Sequence, residues 1–282
     1  MNELWLSLDI LKYGLLSGVF LGISFAFTSP FLVLKRNSLF PHALTHILFL
    51  AIIFISVLSE FFPSLLAYPV LEYPIMGLIA FFCTFLIFFL KRKLKLYEDT
   101  ATSIITSLAL GIALIIIAKT SQYDTRLLSY LFGSLLVVSS KEVFDSLWIA
   151  LLTGVVFFKY YPLWVTQTTD VEVPGIDFKW PNFFFLVVLT LQVFISIKLM
   201  GVLLVSSLFV FTSTFGLKIG KNLKQTILLT TLTNLLSLLT GMLFSILWDI
   251  PFSSAVVLCM SFWLLILLIF KKGEVLGGRI YR

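Results

Sequence analysis

Charge is what this sequence has least of: Asp, Glu, Lys and Arg make up 12% of its 282 residues, about half the share of an ordinary soluble domain. With 60% hydrophobic residues and a mean hydropathy of +1.08, the chain has too little polar surface to clothe a water-soluble fold. Cysteine is scarce as well. Cys83 and Cys259 both lie inside apolar runs, which excludes a disulfide framework and a cysteine-rich zinc site and leaves two small buried hydrophobes. No long polar stretch is present. The two most polar segments, Lys119 to Ser146 and Thr166 to Asn182, are too short to bury a core of their own. No phosphate loop is present either. Gly216-Leu217-Lys218-Ile219-Gly220-Lys221-Asn222 is one residue short in its spacing and ends on Asn222, where a Ser or Thr would hold magnesium. That segment reads as a solvated basic loop, and the chain shows no means of hydrolysing ATP.

What fills the sequence is apolar runs of about 20 residues, each long enough to cross a hydrocarbon core of about 30 Å as a helix. They fall at roughly 11–34, 41–61, 66–90, 101–118, 144–166, 183–197, 199–217, 226–247 and 252–270. Lipid offers nothing to an open sheet edge, and barrel strands would alternate polar with apolar residues. The expected fold is therefore all-α: a polytopic transmembrane helical bundle of 8–9 spans forming a single domain over 1–282. The run from Phe183 to Phe215 is broken only by Lys198 and Gly201; it is divided in two because it is about twice the length one crossing needs. Between spans, Leu127 to Val138 is a short apolar piece centred on Gly133, which reads as a partial or re-entrant helix. The run after Met1-Asn2-Glu3 lacks a basic leader and reads as a retained span.

The net charge of +6 does not point to nucleic acid, because the basic residues sit in short clusters between apolar runs. Placing the carboxyl end, with Lys271, Lys272, Arg279 and Arg282, in the cytoplasm puts Lys35-Arg36, Lys91–Lys95, Lys159, Lys179, Lys218, Lys221 and Lys224 there too, together fifteen of the twenty Lys and Arg residues. This positive-inside bias supports nine crossings with the amino end outside.

Histidine occurs twice, as His42 and His46. Spacing of i and i+4 puts both imidazoles on one helical face, about 6 Å apart at Cβ, within reach of one borderline metal ion. Ionisable residues inside a membrane are costly and so are candidate functional groups; the alternative is two satisfied polar residues near the interface. No nucleophile accompanies them, so no catalytic residue is assigned. A second polar feature, Thr168-Thr169-Asp170-Val171-Glu172-Val173-Pro174-Gly175, places acidic residues on the cytoplasmic side against the positive-inside trend. It is either a connector or a docking element for a basic patch on a soluble partner.

Four stretches together resemble the membrane subunits of zinc, manganese and iron ABC importers. They are Lys35-Arg36-Asn37-Ser38-Leu39-Phe40-Pro41-His42-Ala43-Leu44-Thr45-His46, Glu98-Asp99-Thr100, Tyr130-Leu131-Phe132-Gly133-Ser134-Leu135-Leu136, and Met200-Gly201-Val202-Leu203-Leu204-Val205-Ser206-Ser207-Leu208. The sequence departs from that family's pattern with His42 in place of an Asp, Ile47 in place of an Ala, Thr212 in place of a Pro, and Pro251-Phe252-Ser253-Ser254 without the usual Gly and Pro. The resemblance implies a permease that translocates a divalent metal ion by alternating access, with no tightly bound cofactor. It implies His42 and His46 as metal ligands; whether Asp99, Asp124 or backbone carbonyls add to them is left open by the sequence. Asp170, Glu172 and Gly175 resemble the family's coupling region to the ATPase. The implied partners are cytoplasmic ABC ATPase subunits, an extracytoplasmic metal-binding protein, a second permease copy and membrane lipid. Exchanging carboxylate for imidazole favours zinc or iron over manganese by ligand type. A proton-coupled secondary carrier and a non-transporting scaffold are the competing classes.

Overall fold

The computed structural model describes residues 2–61, 72–120, 131–133, 135, 138–168 and 178–270, and among them there are helices and turns but no strand. In chain order the helices are α1 (Asn2–Leu34), α2 (Leu39–Phe61), α3 (Glu72–Leu94), α4 (Glu98–Thr120), α5 (Ser140–Thr166), α6 (Lys179–Ile219), α7 (Leu223–Trp248) and α8 (Phe252–Phe270). The first seven are long and apolar enough to cross a membrane, and α8 adds a shorter apolar stretch over Phe252–Leu267. The starts and stops follow local chemistry. Ser139 accepts from the Glu142 amide while the Glu142 carboxylate accepts from the Ser139 amide, a reciprocal capping box that starts α5. Asn222 caps α7 by accepting from the Gln225 amide, and Asp249 ends it in the left-handed conformation.

The centre of the bundle is α6, which packs against α1, α2, α5, α7 and α8, whereas α3 packs mainly against α2 and α4. The difference appears at the surface: α3 exposes Leu78, Phe81, Phe82, Phe85 and Phe89, a face suited to lipid tails. Leu189, Val193, Ile197, Leu204, Val205 and Leu208 of α6 are fully enclosed.

α6 is 41 residues long, about 60 Å at 1.5 Å per residue and twice what one crossing needs. It is not straight. Gly201 has φ 80° and ψ 163°, outside any helical conformation, and the contacts on either side of it retrace one path along α1. Before Gly201, the Lys35 ammonium lies 4.9 Å from the Phe185 ring and Gln192 donates to the Ser24 carbonyl. After it, Phe209 lies 4.6 Å from Phe25. A straight helix would hold residues 192 and 209 about 25 Å apart, farther than these two contacts with adjacent α1 residues permit. The chain therefore doubles back at Gly201, and the expected segments 183–197 and 199–217 are its two arms. The break falls three residues after Lys198, the charge that marks it in the sequence.

A glycine is required there on two counts. Its φ and ψ lie in a region open essentially to glycine alone, and a Cβ would stand 2.5 Å from the Gly133 nitrogen and the Leu131 oxygen. Gly133, also at positive φ, would reciprocally meet the Met200 carbonyl carbon at 2.3 Å. Two residues on, the Leu135 carbonyl lies so close to α1 that a Cβ on Gly14 would sit 1.9 Å from it. The piece expected to be re-entrant is thus, in its described part, a helical Leu131-Phe132 followed by a turn at Leu135, wedged between α1 and the reversal of α6.

Candidate functional site

His42 and His46 lie in the first two turns of α2, whose start is fixed by the turn that ends α1. The Arg36 amide bonds to the Val33 carbonyl and the Asn37 amide to the Leu32 carbonyl, with Arg36 at φ 56°. This is the paired terminal arrangement that closes a helix through one left-handed residue. The Phe40 amide then bonds back to the Asn37 carbonyl, so four residues carry the chain from one helix into the next. On α2 the neighbours of the histidines are buried: Phe40, Ala43, Leu44, Thr45, Ile47 and Leu48. Thr45 turns its hydroxyl onto the His42 carbonyl at 2.7 Å, the usual way a helix hides a threonine in an apolar setting.

The imidazoles themselves are directed off this packed face. Their ring centres are 4.5 Å apart and nearly perpendicular, at 84°. His42 is exposed and His46 half-buried, and the buried His46 Nδ1 has no hydrogen-bond partner. Metal–nitrogen bonds are about 2.0–2.1 Å, so two rings at this separation can share one ion by rotating about the Cβ–ring bond. Among the described residues, no group of three or more His, Cys, Asp and Glu side chains comes together. Among the described residues the two imidazoles therefore stand as a pair, with no further such side chain grouped with them. Asp99 sits exposed in the first turn of α4. Asp124, Asp170, Glu172 and Gly175 lie outside the described residues.

Polar groups that the sequence does not single out hold the bundle together in its apolar interior. Gln192 of α6 donates through Nε2 to the Ser24 carbonyl at 2.9 Å and the Ser24 hydroxyl at 2.8 Å, and its Oε1 accepts from Thr28 at 2.9 Å. The Ser24 and Thr153 hydroxyls share a further bond of 3.0 Å. Ser24, Thr28, Thr153 and Gln192 are all fully buried, so the network ties α1, α5 and α6 at one level. Asn234 adds a bond from α7 to the Gly22 carbonyl at 2.9 Å. Such interhelical bonds serve as glue where lipid removes the hydrophobic drive for helices to associate.

Comparison with known proteins agrees with this architecture. The chain is 25% identical over 263 residues to the high-affinity zinc uptake system membrane protein of Buchnera aphidicola subsp. Acyrthosiphon pisum, covering 92% of this chain and 96% of that protein. It is 24% identical to the manganese transport system membrane protein of Listeria monocytogenes, covering 94% of this chain and 92% of that protein. With the probable iron transport system membrane protein of Haemophilus influenzae it shares 24% identity over 95% of this chain and 96% of that protein. Among solved structures, PsaBC from Streptococcus pneumoniae in complex with Fab superposes with a TM-score of 0.77, at 19% identity, covering 90% of this chain and 89% of that one. That likeness establishes the fold. Residues 7–271 match the ABC 3 transport family, nearly the whole chain, and this multi-pass membrane protein belongs to that family.

Proposed function

We infer that the chain is the permease subunit of an ATP-driven importer that carries a divalent transition-metal ion, zinc, manganese or iron, across the cytoplasmic membrane by alternating access. The observation that carries this reading is the pair of imidazoles 4.5 Å apart on α2, set in a member of the ABC 3 transport family. Two nitrogen ligands hold an ion loosely, and a path must release what it binds. The ion is cargo, and the chain itself catalyses nothing. A ligand pair of two imidazoles favours zinc or iron over manganese.

In this reading residues 1–282 form one permease domain with nine crossings, both arms of α6 counted, and the amino end outside. Hydrolysis belongs to separate cytoplasmic ATPase subunits, which dock on the segment containing Asp170, Glu172 and Gly175. An extracytoplasmic metal-binding protein delivers the ion, and a second permease copy supplies the other half of the path within the lipid.

The test is metal accumulation in proteoliposomes containing the chain with its cognate ATPase and binding protein, comparing the wild type with His42→Ala/His46→Ala. ATP-dependent uptake that the double variant loses supports both the class and the site. Uptake that persists in the variant returns the histidines to a structural role. Uptake that needs a proton gradient and no ATP identifies a secondary carrier and overturns the assignment.

A further inference from the structure

The end of the bundle that carries Lys35 contains a clasp that neither the histidine pair nor the interior network accounts for. Lys35, the first residue after α1, donates through Nζ to Oε1 of Gln167, the residue that caps the end of α5. The two are 132 positions apart in sequence. The same ammonium lies 4.9 Å from the centre of the Phe185 ring of α6, within cation–π range. Beneath it Trp164 of α5 is fully buried. Its indole N–H donates to the Pro181 carbonyl at 3.2 Å, and its ring meets Phe185 at 4.9 Å and Phe31 of α1 at 5.7 Å. The last turn of α5 and the first two turns of α6 are therefore bound to each other and to the end of α1 by Lys35 and Trp164 together.

From Lys35 the chain has little freedom before it reaches the histidines. The Arg36 and Asn37 amides close the end of α1, the Phe40 amide closes the start of α2, and Phe40 is itself buried. His42 follows Lys35 by seven residues, in the first turn of α2. Displacing the α5–α6 end must drag Lys35, and moving Lys35 must shift the start of α2.

We propose that Lys35 is a positioning residue for transport: its bond to Gln167 and its contact with Phe185 carry motion of the α5–α6 end to the histidine pair. This rests on the permease reading above, in which the ATPase acts on the connection between α5 and α6. Neither Lys35 nor Gln167 binds the ion; both act through α2.

The experiment uses the full transporter in proteoliposomes with the zinc ion as probe, and reads three quantities: ATPase subunits co-purified, ATP hydrolysed, and zinc accumulated per ATP. Lys35→Met is expected to keep ATPase association and hydrolysis within about twofold of wild type. It should lower zinc per ATP by about tenfold, the order of effect of losing one charge-assisted hydrogen bond. Lys35→Arg, which keeps a donor for Gln167 and a planar cation for Phe185, should restore most of the ratio. Gln167→Leu, which removes the acceptor and leaves the lysine, should reproduce the loss and stands in if Lys35→Met fails to fold. A purely structural role would lower yield and association together and leave the ratio unchanged. Wild-type zinc per ATP in both Lys35→Met and Gln167→Leu overturns the proposal. Absence of ATP-dependent zinc, manganese or iron uptake in the wild type overturns the permease reading instead.

Discussion

Replacing Gly201 by alanine probes the reversal of α6 directly. The backbone at φ 80° and ψ 163° costs a residue with a side chain about 1–3 kcal/mol. The new Cβ would also stand 2.5 Å from two backbone atoms of the 131–133 segment. Backbone cannot swing aside as a flexible side chain does, and overpacking of this kind costs about 1–3 kcal/mol more. The expected destabilisation is roughly 2–6 kcal/mol, which at about 2 °C per kcal/mol for a chain of this size lowers the melting temperature by roughly 4–12 °C. The assay is thermal unfolding of the purified protein in detergent, every variant scanned at one rate, because unfolding of such proteins is often irreversible. Gly111→Ala is the control. Gly111 lies within α4 with open space around it, and alanine there should be neutral or stabilising by about 0.5–1 kcal/mol. Gly133→Ala should resemble Gly201→Ala, and the double variant should lose less than the sum, since both side chains push apart the same two backbones. A Gly201→Ala protein that melts within about 1 °C of wild type would refute the reasoning, because the chain could then not turn at this residue against the 131–133 segment.

Gln192→Leu removes the centre of the buried network while keeping the volume apolar. Thr28 retains its bond to the Phe25 carbonyl and Thr153 its bond to the Ile149 carbonyl, so the loss should stay near the 0.6–1.7 kcal/mol range of interhelical bonds in membranes. It is measured by the same thermal scan, and a variant more stable than wild type would show that the network does not hold α1, α5 and α6 together. The nine-crossing arrangement predicts that cysteines placed at Lys141 and Asp249 react with a membrane-impermeant thiol reagent from outside the cell, and that those at Lys95 and Lys221 react only after permeabilisation. Labelling of all four from one side would refute it.

Much of this was legible in the sequence because membranes simplify the code. Apolar runs of crossing length announce helices, and the doubled length of the 183–215 stretch calls for a break. Gly201 is one of the two residues that interrupt it, although only the structure identifies it, and not Lys198, as the turning point. The histidine pair was legible for a similar reason: a spacing of four on a helix fixes a shared face without reference to the rest of the fold. The Gln192 network was not, since a glutamine in an apolar run says that it needs partners but not that they are Ser24 and Thr28, more than 160 residues away. The Lys35 clasp was hidden likewise, because Lys35 reads as one of many basic residues flanking a span. Helix ends were also less legible than helix existence. α1 begins at Asn2, nine residues before its apolar run, because Glu3 and Asp9 interrupt hydropathy without interrupting a helix.

A single residue suffices to turn α6 around, and its backbone is already packed against another backbone at Gly133. The reversal at Gly201 therefore offers no loop into which a tag, a cleavage site or a reporter domain can be spliced. The turn between α6 and α7 at Gly220–Asn222, where Lys221 and Asn222 are exposed, is where such an insertion belongs.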